Sequence, residues 1–152
     1  MKKMLLLCIM LLVNVPLLFS QEAPPGRDQR TAITNLIGRY SEAREKNDTV
    51  LLKQILTTDA DQLVSTGEWR RGIAEAVQGM QRSSGNNPGT RTLRVENIRM
   101  LSATSAIVDC RYIIQSAAGQ TRNMWSTFIV VSELDRWKIS AIRNMLPAGS
   151  GS

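Results

Sequence analysis

The spacing of hydrophobic and polar residues changes once along this chain, from a helical rhythm to a strand rhythm. Ile33, Leu36, Ile37, Tyr40 and Ala43 recur at the intervals that place them on one helical face. Asp28 is read as the N-cap, and Glu42, Arg44, Glu45 and Lys46 take the wet side. Asn47 stops this helix and Asp48 caps a second, whose apolar side is Leu51, Leu52, Ile55 and Leu56. A short strand over Asp61–Ser65, a turn at Thr66–Gly67–Glu68 and a second short strand over Trp69–Arg71 follow. Gly72 releases the chain into a third helix, Ile73–Gln81, with Ile73, Ala76, Val77 and Met80 apolar. Ser83–Gly89, rich in Ser, Gly, Asn and Pro, is predicted as a loop.

The second half is predicted as four long strands: Arg91–Leu101, Ser105–Ala117, Thr121–Leu134 and Arg136–Leu146. Asn97 interrupts the alternation of the first, as a bulge would. Ala103–Thr104, Ala118–Gly119 and Leu134–Asp135 are the hairpin connections. Three helices followed by an antiparallel meander predict one α+β domain, a strongly bent sheet closed on one side by helices. Three short helices cannot fill such a sheet, so a pocket is expected between the first helix and the last three strands.

The 152-residue chain opens with Lys2 and Lys3, an apolar run over Met4–Val13, Pro16 and then Ser20–Gln21. This is the pattern of a signal peptide, so we expect export, secreted or periplasmic, with cleavage near Ser20. The run is shorter than the roughly 20 residues of a membrane span, and no stable span is expected after processing. Residues 21–29 are expected as a flexible lead-in, 30–146 as the domain and 147–152 as a disordered tail. With Cys8 removed in the leader, Cys110 is the one remaining cysteine, so the mature monomer has no internal disulfide and depends on its core.

Removing Lys2 and Lys3 lowers the formal charge from +6 to +4. The arginines are dispersed, no basic run exceeds two, and no aromatic residues are interleaved with them to stack bases. Nucleic acid is therefore not expected as a partner. The excess reads as solvated surface with a modest bias toward anionic partners. There is no histidine, no metal-ligand cluster and no nucleophile motif, so neither metal nor cofactor is expected.

The order of elements, together with several residues, resembles the nuclear transport factor 2-like superfamily, in its SnoaL-like, SgcJ/EcaC-type branch. The residues carrying the resemblance are Asp59–Ala60–Asp61, Gly67, Trp69, Arg71–Gly72 and Ala106–Ile107–Val108. Thr127–Phe128–Ile129–Val130–Val131, Arg136–Trp137–Lys138–Ile139 and Asn144 complete the set. It spans Arg30 to Leu146 and implies a cone-shaped α+β fold with a pocket at its mouth. The superfamily hosts isomerases, hydrolases, cyclases, dehydratases, binding modules and assembly domains, so the fold does not fix the chemistry. Isomerase-like relatives carry an acidic base on the first short strand, where this chain offers Leu63, Val64 and Ser65. They also place an oxyanion-donor tyrosine in helix one, a position that Tyr40 matches.

The candidate ligand-binding residues are Tyr40, Trp69, Asp109, Arg111 and Asn144. Asp109 is the candidate general acid–base and Tyr40 the candidate electrophilic donor, should the site be catalytic. Asp109 and Arg111 share one strand face with Ile107 and Ile113. Ala106, Val108, Cys110 and Tyr112 form the other, so the pair either enters the pocket or sits on the surface. Both faces of Thr121–Val131 are substantially apolar, which predicts a homodimer through the outer sheet face. The expected function is binding of a small apolar or weakly anionic ligand. An isomerase-, cyclase- or hydrolase-like enzyme and a dimeric assembly module are the alternatives.

Overall fold

The computed structural model describes residues 26–86 and 88–149. The signal-peptide pattern, its cleavage point and most of the lead-in lie outside the described residues. Among the described residues no helix is long and apolar enough to cross a membrane.

Three helices precede the long strands. Helix α1 spans Arg27–Lys46, α2 Thr49–Ile55 and α3 Gly72–Asn86, with strands β1 (Leu56–Leu63) and β2 (Trp69–Arg71) between the last two. The meander is β3 (Gly89–Ser102), β4 (Ser105–Ser116), β5 (Thr121–Glu133) and β6 (Arg136–Met145). Helix α1 begins at Arg27, so Arg27–Gln29 are helical where a flexible lead-in was expected. Gly26 is its N-cap, and Asp28 sits in the first turn, where a carboxylate favours the helix dipole. Asp48 caps α2 as predicted, accepting hydrogen bonds from the Val50 and Leu51 amides at 3.0 and 2.9 Å.

All six strands form one open sheet in the order β2-β1-β6-β5-β4-β3. The β3–β6 meander is antiparallel throughout. The β1–β6 pairing is parallel, which makes the sheet mixed where an antiparallel one was expected. The chain passes from β1 through β2 and α3 to the far edge and meanders back, so β6 arrives beside β1 in the same direction. The register shifts between Val95 and Asn97, at the predicted bulge, and again between Ile129 and Val130. Each shift adds local twist.

Helix α1 runs along the edge strand β3. Gln29 Nε2 donates to the Ala103 carbonyl and Arg30 Nη1 to the Ile98 carbonyl, while Glu45 at the other end accepts from the Arg91 amide. The same helix also packs against β6, three strands away. Strands lie about 4.8 Å apart, so one helix reaches both only because the sheet curls around it. Ile33, Leu36, Ile37 and Tyr40 meet Val108, Phe128, Val130 and Ile139 inside that curl. Each large side chain buried there contributes roughly 1.5–3 kcal/mol. The core fills the closed part of the curl, and the other end is left open.

Candidate functional site

Strand register assigns every residue to a face. Cys110 pairs with Ser126 and Ser126 with Asn144, and this row faces the helices. One position away, Asp109 pairs with Thr127 and Thr127 with Arg143, on the outer face. The helix-facing set on β4, Ala106, Val108, Cys110 and Tyr112, is buried.

At the open end this inner face meets α1, α3 and the β1–β2 hairpin around a cavity of about 370 Å³. Helix α1 supplies Tyr40 and Arg44, β1 and β2 supply Gln62 and Arg70, and the end of α3 supplies Arg82 and Ser83. The long strands add Arg91, Tyr112, Arg122, Met124 and Asn144. Tyr40 is fixed by an edge-on contact with Phe128, ring centroids 5.2 Å apart. Burial pushes its phenol above the usual tyrosine range. The nearby Arg44 and Arg70 and a hydrogen bond from Gln62 oppose that rise, and Tyr112 adds to it. The group is a neutral hydroxyl, a donor rather than a base. Asn144 is held by Ser126, whose hydroxyl donates to Asn144 Oδ1 at 2.7 Å.

Of the five residues singled out from sequence, Tyr40 and Asn144 line this cavity. Trp69, Asp109 and Arg111 do not. Trp69 pairs with Leu63, whose other partner is Arg143, so the ring lies on the outer face. There the guanidinium groups of Arg143 and Arg71 sit 4.8 and 5.1 Å from its centroid. Asp109 Oδ1 accepts a hydrogen bond from Thr127 at 2.8 Å, and Arg111 lies over the Trp125 ring at 3.7 Å. The expected pairing of Asp109 with Tyr40 as base and donor is therefore ruled out by the register, which puts the two on opposite sides of the sheet.

The residues missed from sequence are arginines. Arg44, assigned to the wet side of α1, is buried, as are Arg70 and Arg91, taken as solvated surface. Arg44 lies one turn beyond Tyr40 on the same helix face, a signal the spacing carried. Arg70 shares strand parity with Gln62, its partner on β1. The predicted loop over Ser83–Gly89 is helical as far as Asn86, and this extension brings Ser83 to Arg44 and Arg91. Arg44 donates to the Ser83 hydroxyl at 2.6 Å, and Arg91 donates to the Ser83 and Gly89 carbonyls at 3.2 and 3.1 Å.

Among the described residues, the one carboxylate lining the cavity is Glu68. It accepts from Arg70 Nε at 3.2 Å and Arg82 Nη2 at 2.9 Å, and Arg70, then Arg82, holds its carboxyl below the usual range. Among the described residues no group of three or more His, Cys, Asp or Glu side chains is arranged to hold a metal ion.

No protein-family model matches the sequence, and no curated protein is a significant match. Solved structures do match. A nuclear transport factor 2-like protein of unknown function from Shewanella oneidensis superposes with a TM-score of 0.67 at 21% identity, over 77% of this chain and 98% of that one. A ketosteroid isomerase-like protein from Erwinia carotovora gives 0.68 at 13% identity, over 78% and 96%. A putative scytalone dehydratase from Novosphingobium aromaticivorans gives 0.65 at 16% identity, over 77% and 83%. The chain has the nuclear transport factor 2-like, cystatin-like fold.

Proposed function

We propose that this is an exported protein that binds a small molecule in the cavity at the open end of the sheet. The observation that carries this is the cavity itself, walled by side chains from α1, α3 and all six strands around about 370 Å³. That volume is within the usual range of ligand sites. Binding is favoured over catalysis by the inventory of proton-transfer groups. Among the described residues the cavity's one lining carboxylate, Glu68, is engaged by two arginines, and the chain has no histidine. Export is supported by the charged, then apolar N-terminal segment. N-terminal sequencing of protein from an extracytoplasmic fraction should begin near Gln21, and an intact Met1 in the cytoplasm would refute export.

Ligand binding is tested by screening small-molecule fragments against the ¹⁵N-labelled domain. Saturable shifts clustered at Gln62, Ser83 and Asn144 are expected. Hits confined to other surfaces, or no hits, overturn the assignment. The dehydratase and isomerase-like names of two structural neighbours favour a second reading, an enzyme in which the buried Tyr40 hydroxyl polarises the substrate. Turnover lost in Tyr40→Phe with unchanged binding would establish it.

Two copies of the chain pair through the outer sheet face in this proposal. Ile107 and Ile129 are cross-strand partners there, with Val131 two residues along β5, and all three are half-buried in the single chain. The same face carries Asp109 and Arg111, which a twofold axis can set against each other.

A further inference from the structure

The cavity is far more cationic than a site for an apolar ligand requires. Among the described residues five arginines line it, Arg44, Arg70, Arg82, Arg91 and Arg122, against the single carboxylate of Glu68. Three of them are nearly inaccessible, Arg44 at 7%, Arg70 at 6% and Arg91 at 9% exposure. Taking a guanidinium out of water is costly unless opposite charge is near, and clustered like charges add to that cost. Glu68 is a weak counterweight, because its side chain is 45% exposed and shared between Arg70 and Arg82, and Glu45, which accepts from the Arg91 amide, is not part of the cavity lining. Arg44 has only the neutral Ser83 hydroxyl as a hydrogen-bond partner among the described residues.

These cations converge. Arg44 and Arg70 both line the cavity together with Tyr40, and Arg44 and Arg91 both reach Ser83. Arg70 is laid flat against α3 at Gly79, where a Cβ atom would collide with its Cδ, Nε and Cζ. The amide nitrogen of Asn144 carries no hydrogen bond among the described residues, since its bond to Ser126 runs through Oδ1. Fixed guanidinium groups beside unspent N–H and O–H donors are the chemistry of an oxyanion receptor. Ile114, Met124 and the ring of Tyr112 add carbon to the lining, with Ile114 the cross-strand partner of both Arg91 and Arg122.

We infer that the cavity takes a small organic oxyanion, a carboxylate or a phosphate ester, with its charged group at Arg44 and Arg70 and its carbon skeleton against Ile114, Met124 and Tyr112. This rests on the cavity being the ligand site, and of the apolar and weakly anionic ligands expected from sequence it selects the anionic.

The test is a set of titrations followed by amide shifts, with phenylacetate, phenyl phosphate, inorganic phosphate and the neutral phenylacetamide as probes. One or both organic anions are expected to bind saturably at Gln62, Ser83 and Asn144, at least tenfold more tightly than phenylacetamide. The tighter of the two identifies the headgroup. Arg44→Met should weaken that anion roughly tenfold, the loss of a charge-assisted hydrogen bond. Arg122→Gln, at the exposed rim, gives a second reading should Arg44→Met fail to fold; it should weaken the anion by a smaller factor and leave phenylacetamide unchanged. Phenylacetamide binding as tightly as the anions overturns the oxyanion inference and leaves the small-molecule assignment standing. Inorganic phosphate matching phenyl phosphate, with phenylacetate silent, overturns the organic part. Silence of all four probes in the cavity, if fragment screening finds other ligands there, overturns the inference alone; silence in both experiments overturns the inference and the assignment together.

Discussion

Arg143 grips Asp61 with two parallel hydrogen bonds, Nη1 to Oδ1 at 2.8 Å and Nη2 to Oδ2 at 3.2 Å, across 82 residues of sequence. The pair joins β1 to β6, the parallel seam of the sheet, and the same guanidinium lies over Trp69 on β2. Three strands are thus tied on the outer face by one side chain. Arg143→Lys keeps the charge but can make neither the fork nor the stack. Both partners are 31% exposed, so solvent screening limits the loss to about 1 kcal/mol. A urea midpoint unchanged from wild type would show that the seam does not depend on this clasp.

Cys110 is buried on the inner face of β4. Burial pushes its thiol from 9.0 up to about 12, with Asp109 and Glu96 adding in the same direction. Thiolate is the reactive form, so the folded protein should resist a thiol reagent at pH 8 while the urea-unfolded chain reacts at once. The linkage has a definite sign. Between pH 9 and about 12 the unfolded thiol releases its proton and the folded one keeps it, so this group lowers stability as pH rises. Relative to Cys110→Ala, the wild type should lose about 1.5 kcal/mol between pH 9 and 10.5. Parallel pH profiles for the two proteins would contradict the shift.

The elements were legible in the sequence because each repeats a pattern that one residue period explains. The stripe of Ile33, Leu36, Ile37 and Tyr40 does face the core, and the turns at Ala118–Gly119 and Leu134–Asp135 do join the strands. The parallel seam was not legible, since periodicity says which face a residue takes and nothing about which strand lies beside it. The site was read only in part. Alternation on β4 separated Asp109 and Arg111 from Val108 and Cys110 without saying which set faced the helices. The clue was charge: the inner set has none, and Asp109 and Arg111 both belong to the outer one. Arg44, Arg70 and Arg91 were passed over because a lone arginine ordinarily marks surface. Only the tertiary fold closes α1, β2 and the start of β3 around one space.

The outer face offers a direct test of self-association. Ile129 pairs with Ile107 on one side and Ala141 on the other, at the centre of the proposed contact. Ile129→Asp places an unpaired carboxylate there, and burying it at an interface costs several kcal/mol. Light scattering at micromolar concentration should report a dimer for wild type and a monomer for the variant. Val50→Asp, on the exposed side of α2, should remain dimeric. A wild-type monomer, or a dimer that tolerates Ile129→Asp, would remove this face from consideration.

Gly79 tests whether the placement of Arg70 matters to the cavity. Alanine at a helix interior position is ordinarily favoured over glycine by about 1 kcal/mol, and Gly79 lies in the middle of α3. Here the added methyl would overlap the Arg70 side chain. Arg70 can swing aside, so the expected result is a folded protein with a change in stability of no more than about 1 kcal/mol. The swing would take the guanidinium away from the inner end of the cavity and loosen its bond to Glu68. Binding of the preferred organic anion should then weaken several-fold, about as far as removal of one charged hydrogen bond would take it, while phenylacetamide is unaffected. Gly85→Ala is the control on the same helix, since a Cβ there meets nothing within 4 Å. Equal anion affinity in Gly79→Ala, Gly85→Ala and wild type would make Arg70 a structural cation and contradict the placement of the anion's charged group against it.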